Sequence, residues 1–443
     1  MSESIESPLL KSVLSLLEED GDTEKDVASL RSLLYDPPEN DYTTKPILDL
    51  AADMTRANSA PLNNVIYTAQ PFIPKKRHVV GLASPSCISP SFNSMSPRVK
   101  QIVSSPPTYK HANSSSNPNQ MRNTINNNYT VADLCKEQQG SRRIQAFLQT
   151  AKEYEVTEIF DSLKGDLFDL MLDLFGNYVV QKFIEVGVEK HRQYVRDLVK
   201  CKIIMLSKHM YGCRVIQKIV EYSSSEQQEE LFQKIEGEVR DLIVDQNGNH
   251  VVQKFVEKYD GCGGRVIDII KDDIELISSH GFGCRVIQRL IEKSDTTINT
   301  IIYNKVRGNI QVLSMNQFGN YVIQHLLEFG SQPIRDEIIS EVQDIFCESS
   351  LMKFSSNVME KCVQFGSSEK QRVLIGKVFS CNADSVVSMM KNPFANYVLQ
   401  RMLTVMNKDD RTKFNANFIQ KNVVMLRKNV YAKHLLNTMD SLL

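Results

Sequence analysis

Eight short segments of this chain place the same kinds of polar residue at the same spacing. A first site holds Ser141, Asn177, Cys213, Asn249, Cys284, Asn320, Ser356 or Asn396. The next residue, a second site, is Arg142, Tyr178, Arg214, His250, Arg285, Tyr321, Asn357 or Tyr397. Four residues after the first, a last site holds Gln145, Gln181, Gln217, Gln253, Gln288, Gln324, Glu360 or Gln400. On a helix, residues four apart lie one turn apart on one face, and the second site flanks the first. Tyr, His and Arg have flat faces that stack on a nucleobase, and Asn357 covers one weakly. Such a stack contributes roughly 1–3 kcal/mol per base, and Arg adds a cation–π component. A glutamine amide offers one acceptor and one donor group, which suits the Watson–Crick edge of uracil or adenine. Glu360 offers acceptors only, and guanine alone presents two adjacent donors on that edge.

The three sites vary together. Asn goes with Tyr or His, Cys with Arg, and Ser with Arg when Gln is last; the pair Ser356-Asn357 occurs only with Glu360. Surface filler on a scaffold helix drifts independently, so packing does not account for these sets. Cys213 and Cys284 read as buried thiols, because no base or acid accompanies them as a nucleophile would require. No paired carboxylates, phosphate loop, nucleophile motif or clustered metal ligands appear, so the sequence predicts no enzyme, no metal and no cofactor.

The elements that carry these sites repeat. GNYVVQKFIE (176–185), GCRVIQKIVE (212–221), GNHVVQKFVE (248–257), GCRVIQRLIE (283–292) and GNYVIQHLLE (319–328) are near copies. GSRRIQAFLQ (140–149), SSNVMEKCVQ (355–364) and ANYVLQRMLT (395–404) follow with drift. Successive first sites are separated by 36, 36, 36, 35, 36, 36 and 40 residues. That period with helical patterning predicts an all-α solenoid, in which each unit buries its apolar face on the next. The central pairs, such as Val179-Val180 and Val322-Ile323, belong to the core. Asp173, His209, Asp245, His280, Asn316 and Asn392 stand three residues before the small residue that opens each helix, as caps or turn formers. Residues 416–443, with Phe418, Ile419, Val423, Val424, Leu426, Val430, Leu435 and Leu436, are expected to cap the C-terminal end. Tyr129, Val131 and Leu134 are the only apolar residues just ahead of the first of these helices, so the first unit is expected to be the least stable.

Composition divides the chain of 443 residues, whose formal charge is -1. Residues 1–53 hold 13 acidic and 4 basic side chains, and 54–130 hold 8 basic ones and no acid. Ser, Pro and Asn fill 25 of the 50 positions from 81 to 130. Such a stretch buries too little apolar surface to offset its ordering entropy, so 81–128 is expected to be disordered. The tail is taken as 1–130, with a short helix near 8–19, the repeats as 131–415, and the cap as 416–443. Ser-Pro pairs at Ser84, Ser89, Ser96 and Ser105 are candidate phosphorylation sites. The balance of charge excludes a globally basic nucleic-acid binder but not a local basic surface. The nine cysteines have no CxxC pair, and no signal peptide or run of 18 apolar residues is present. A cytoplasmic protein without membrane contact is expected.

The eight triplets resemble the recognition helices of the Pumilio-homology (PUF) family of RNA-binding proteins, over about 131–443. The resemblance implies a right-handed crescent of eight three-helix repeats with terminal caps. It implies single-stranded RNA along the concave face, about one base per repeat, with the eighth repeat at the 5′ base. Carried residue by residue, Asn396, Tyr397 and Gln400 would take a first uracil, and Ser356, Asn357 and Glu360 a guanine. Asn320, Tyr321 and Gln324 would take uracil, and Cys284, Arg285 and Gln288 adenine. Asn249, His250 and Gln253 suit uracil, Cys213, Arg214 and Gln217 adenine, Asn177, Tyr178 and Gln181 uracil, and Ser141, Arg142 and Gln145 adenine. The implied site is 5′-UGUAUAUA-3′ in the 3′ untranslated region of messenger RNAs. The resemblance further implies a monomer that represses translation or promotes decay, with deadenylation machinery as a partner. The competing expectations are a protein-binding solenoid of armadillo or HEAT type, and a divergent PUF-like ribosome-biogenesis factor. Intact triplets argue against both.

Overall fold

A computed structural model describes residues 95–104 and 130–442 of the chain. The helix expected near 8–19 lies outside the described residues. Helix α1 (Pro97–Ser104) comes first. Nine further helices recur along the rest: α2 (Gln138–Thr150), α3 (Gly176–Val186), α4 (Gly212–Glu221), α5 (Gly248–Lys258), α6 (Gly283–Lys293), α7 (Gly319–Phe329), α8 (Ser355–Phe365), α9 (Ala395–Val405) and α10 (Val430–Leu442). Each of α2 to α9 packs on the next in order, and α9 packs on α10. Between them the chain forms other helices, such as Glu189–Lys200 and the short Ile203–Lys208 between α3 and α4. Among the described residues no strand occurs, and the fold is an all-α solenoid.

The sequence explains the stacking. Val179, Val180, Val215, Ile216, Val251, Val252, Val286, Ile287, Val322, Ile323, Val398 and Leu399 are all buried. Each such side chain contributes about 1.5–3 kcal/mol on full burial, and no single unit supplies enough partners to bury its own. The buried side chains form one continuous cluster along the array.

The small residue at the start of each helix answers to a close approach. A Cβ on Gly176 would stand 2.8 Å from Leu170 Cδ2 and 3.0 Å from the Leu170 carbonyl oxygen. Ser355 occupies the corresponding place in α8, and its hydroxyl donates to the Ser349 carbonyl at 2.7 Å. The residue three before is an acceptor. Asp173 Oδ1 takes the N–H groups of Phe175 and Gly176 at 2.8 and 2.7 Å. Asp245, Asn316 and Asn392 do the same for their own helices. His209 and His280 use Nδ1 at 3.1–3.2 Å. Both partners are backbone N–H donors, so Nδ1 carries the lone pair and any ring proton sits on Nε2.

Two expectations about the ends are corrected. The stretch 81–128, expected to be disordered, contains α1, which packs on α2 and on the helix Glu153–Leu163. Met95 and Val99 are buried, and Ile102 and Val103 partly so. The Ser/Pro/Asn average over the stretch concealed one apolar face at i, i+3, i+4, and the open end of the array supplies the surface that repays its ordering. The first helix therefore has more cover than Val131 and Leu134 alone provide. At the other end Phe418, Ile419, Leu426, Leu435 and Leu436 are buried as expected, but Val424 and Val430 are 71% and 67% exposed. Val424 lies in the four-residue helix Val423–Leu426 and Val430 is the first residue of α10, places too short or too near a helix end for spacing to assign a face.

Candidate nucleic-acid interface

In α3, Asn177 Nδ2 donates to the carbonyls of Asp173 and Leu174 at 2.8 and 2.9 Å. Its Oδ1 therefore turns outward and accepts Gln181 Nε2 at 2.9 Å. The same tether joins Gln253 to Asn249, Gln324 to Asn320 and Gln400 to Asn396, at 2.8, 2.8 and 2.9 Å. Each Asn is buried and each Gln half-buried. One amide proton of the Gln is thus used, which leaves its oxygen and second N–H to face a ligand edge. In α2, Gln145 Nε2 is held by Ser141 Oγ at 3.0 Å, and Ser141 donates to the Phe175 carbonyl of the next unit at 2.8 Å.

The Cys-bearing helices are arranged differently. Gln217 donates to the Cys213 carbonyl at 3.0 Å, because a thiol is a poor acceptor. Gln288 Nε2 is buried with no nitrogen or oxygen partner, and the Cys284 thiol lies beside it. Burial raises the Cys213 thiol and pushes Cys284 up to about 11, so both stay protonated and neither is a nucleophile. In α8, Ser356 donates to the Lys353 carbonyl at 3.3 Å and leaves Glu360 without a tether from its own helix. Glu360 Oε1 instead accepts Arg401 Nε and Nη2 from α9, at 3.3 and 3.2 Å.

The second-site residues lie one on each of eight helices that pack in succession. Tyr178 and Tyr397 are 53% and 55% exposed. Arg142, Arg214, His250 and Asn357 are exposed, and Arg285 and Tyr321 half-buried. The Arg285 guanidinium lies 5.2 Å over the Tyr321 ring, so planar groups of α6 and α7 already stack. His250 is held below its ordinary value, first by crowding from surrounding protein and then by the charges of Arg214 and Arg285 on either side. Its ring is neutral at pH 7.

Two features were missed in the sequence. The residue after the last site is basic in six units, Lys182, Lys218, Lys254, Arg289, Lys361 and Arg401, and is His325 in a seventh. Most pair with glutamates, as Lys218 with Glu221 at 3.0 Å and Lys361 with Glu328 at 2.7 Å, but Arg401 reaches a triplet member. The constant register of the basic residue was the available signal. The second feature is a ninth triplet. Asn429 Oδ1 accepts the N–H groups of Tyr431 and Ala432 at 3.0 Å, the same turn that opens the other helices. The buried Ala432 takes the small-residue place, and Lys433, His434 and Asn437 follow, exposed, at first, second and last sites of α10. Thr438 of α10 donates to Gln400 Oε1 at 3.3 Å. The 37-residue step from Asn396 to Lys433 was the signal.

Among the described residues no group of His, Cys, Asp and Glu could hold a metal. No single described helix is long and apolar enough to cross a membrane. Stacked helices, each offering a planar residue beside two hydrogen-bonding groups, make an α-solenoid with a repeated polar surface. Eight segments (131–163, 166–197, 202–236, 238–261, 274–307, 309–343, 353–379 and 385–414) match the Pumilio-family RNA binding repeat. The chain belongs to the PUF family of RNA-binding proteins. Among solved structures, it is similar to the Puf3 RNA-binding domain bound to a Cox17 RNA 3′ UTR recognition sequence. The two are 34% identical, over 70% of this chain and 94% of that one, with a TM-score of 0.65. PUF-8 in complex with PBE-RNA is 31% identical over 74% of this chain and 97% of that one, with a TM-score of 0.63. The RNA-binding domain of yeast Puf5p bound to SMX2 RNA is 26% identical over 70% and 96%, with a TM-score of 0.51. No curated protein matches the chain.

Proposed function

We propose that this protein reads the sequence 5′-UGUAUAUA-3′ in 3′ untranslated regions and represses or destabilises the messenger RNAs that carry it. The array is read as a crescent of eight three-helix repeats, within 131–415, capped by α1 and by 416–443. The RNA lies on its concave face, antiparallel to the chain, one base to each of α9 down to α2. Tyr397, Tyr321, His250 and Tyr178, with Arg285, Arg214, Arg142 and Asn357 between them, stack on the bases. The first and last sites of the same helices contact base edges. His434 of α10 extends the planar row beyond Tyr397, on the 5′ side.

One observation carries the reading. Seven last sites hold a glutamine, and the eighth, Glu360, is a carboxylate steered by Arg401 from the neighbouring helix. A carboxylate with its acceptors fixed suits guanine and rejects uracil, whose edge would face it with a carbonyl oxygen. The 3′ UTR sequence bound by Puf3, a relative 34% identical, supports the substrate class. Repression or decay, with recruited deadenylation machinery, a monomeric state and a cytoplasmic location complete the proposal. Selection from a random RNA pool tests it. Enrichment of UGUA followed by an alternating U/A tract is the expected outcome, and enrichment without guanine at the second position would refute the assignment of α8.

A further inference from the structure

Ser96 and Pro97 form the entry to α1. The Ser96 backbone N–H and hydroxyl both donate to Glu158 Oε2, at 3.1 and 2.8 Å. Glu158 lies in the helix Glu153–Leu163, 62 residues along the chain, so one part of the molecule caps a helix from another. Two residues on, Arg98 pairs with the buried Glu155 at 3.1 Å, and its guanidinium lies 5.0 Å over the Phe147 ring. Met95 and Val99, both buried, and Arg143 Nη2, which donates to the Ile102 carbonyl at 2.9 Å, add to the attachment. A helix of eight residues does not persist alone in water, so α1 depends on this docking.

We propose that Ser96 is a phosphorylation site for a proline-directed serine kinase, and that the phosphate undocks α1 from the first reading helix. The Ser96 hydroxyl oxygen attacks the γ-phosphorus of a nucleoside triphosphate. An O–P bond forms, the bond from that phosphorus to the β-phosphate oxygen breaks, the nucleoside diphosphate leaves, and the hydroxyl proton passes to solvent. Pro97, exposed at the first helical position, is the residue such a kinase reads. The product replaces a hydroxyl donor by an acceptor-only group carrying about −1.5 to −2 charge at pH 7. That charge stands where the hydroxyl was 2.8 Å from a carboxylate. A free helix N-terminus attracts phosphate, but here the Glu158 carboxylate already accepts the Ser96 N–H and hydroxyl and sets a negative charge against the same position. Arg98 is the neighbouring cation that could answer the phosphate. Turning to it would take the cation from Glu155, which is only 2% exposed and would be left as a buried charge. Both courses remove an interaction that holds α1 in place.

The consequence reaches the interface through α2. Arg143, which holds the Ile102 carbonyl, stands next to Ser141 and Arg142, so undocking loosens the helix proposed to read the last base. That consequence rests on the reading of α2 as a base-reading helix; the undocking does not.

The full chain with Ser7, Ser84, Ser89 and Ser105 changed to Ala, treated with a proline-directed kinase and Mg-ATP, should gain one phosphate at Ser96 by mass spectrometry. No phosphate there overturns the site. The switch is read on the full chain with phosphoserine installed at position 96, alone and with Glu158→Gln. Amide exchange across 98–103 should quicken by about tenfold or more with phosphoserine, as for a locally opened segment. In Glu158→Gln the added phosphate should change exchange by less than about threefold, because the neutral amide does not repel it. Unchanged or slower exchange overturns the proposal, since the phosphate would then be held in place by Arg98. An equal acceleration in both backgrounds also overturns it, since repulsion by Glu158 would not be the cause. By fluorescence anisotropy, phosphoserine should reduce discrimination at the last base of UGUAUAUA and leave the UGUA preference intact. Faster exchange with unchanged discrimination supports the switch and overturns its link to α2.

Discussion

Helices α7 and α8 follow one another and open with the same backbone hydrogen bonds, Asn320 N–H to the Asn316 carbonyl and Ser356 N–H to the Met352 carbonyl, yet they fix their last sites by different means. In α7, Gln324 donates to Asn320 at 2.8 Å within one helix. In α8, Glu360 takes its donors from Arg401 on the next helix, 41 residues along the chain. An amide both donates and accepts, so a glutamine is set locally by an asparagine one turn before it. A carboxylate has no proton to give Ser356, and its alignment has to be imported. The asparagine-tethered glutamines are thus set from within their own helices, whereas the one carboxylate is set by a neighbouring helix.

The comparison is sharpened first by Glu360→Gln, the change with the largest expected effect. It should cost about 1–3 kcal/mol in binding to UGUAUAUA, taking the magnitude of a bidentate base contact in duplex recognition, and flatten the preference for guanine at the second base. Titration of four RNAs that differ only there decides it, and a preserved guanine preference would separate α8 from that base. Next, Tyr321→Ala should lose roughly one stack, 1–3 kcal/mol, without altering which base is preferred. Equal anisotropy curves for mutant and wild type would remove the planar row from the interface. Asn320→Ala frees Gln324 from its tether and should cost about 0.5–1.5 kcal/mol, with the discrimination of uracil at the third base reduced. The smallest effect belongs to Arg401→Met. The pair with Glu360 is about a third exposed on both sides, so its loss should cost about 0.2–1 kcal/mol and fade as salt rises. A loss as large as that of Glu360→Gln would mean that Arg401 touches RNA itself, and the contrast between the two helices would fail.

Much of this arrangement was readable from the sequence, and the residues show why. Asn177, Tyr178 and Gln181 sit within a single helical turn and a half, so their common face follows from 3.6 residues per turn. Asp173 could be taken as a turn former from its fixed distance to Gly176, and its two hydrogen bonds agree. The triplet of α10 escaped notice because Ala432 replaces glycine and Lys433 replaces Asn, Cys or Ser. Helix α1 escaped because its apolar face is four side chains long in a stretch otherwise composed of Ser, Pro and Asn.

The sequence by itself determined the period, the register of the eight triplets and the one charged last site, since all of these are local and repeat. Only the tertiary structure decided that Arg401 steers Glu360, that Arg285 lies over Tyr321, and that Glu158 caps a helix from the tail. Helical geometry fixes which residues of one segment share a face. Which faces then meet depends on how neighbouring helices stack, and no spacing along the chain contains that information.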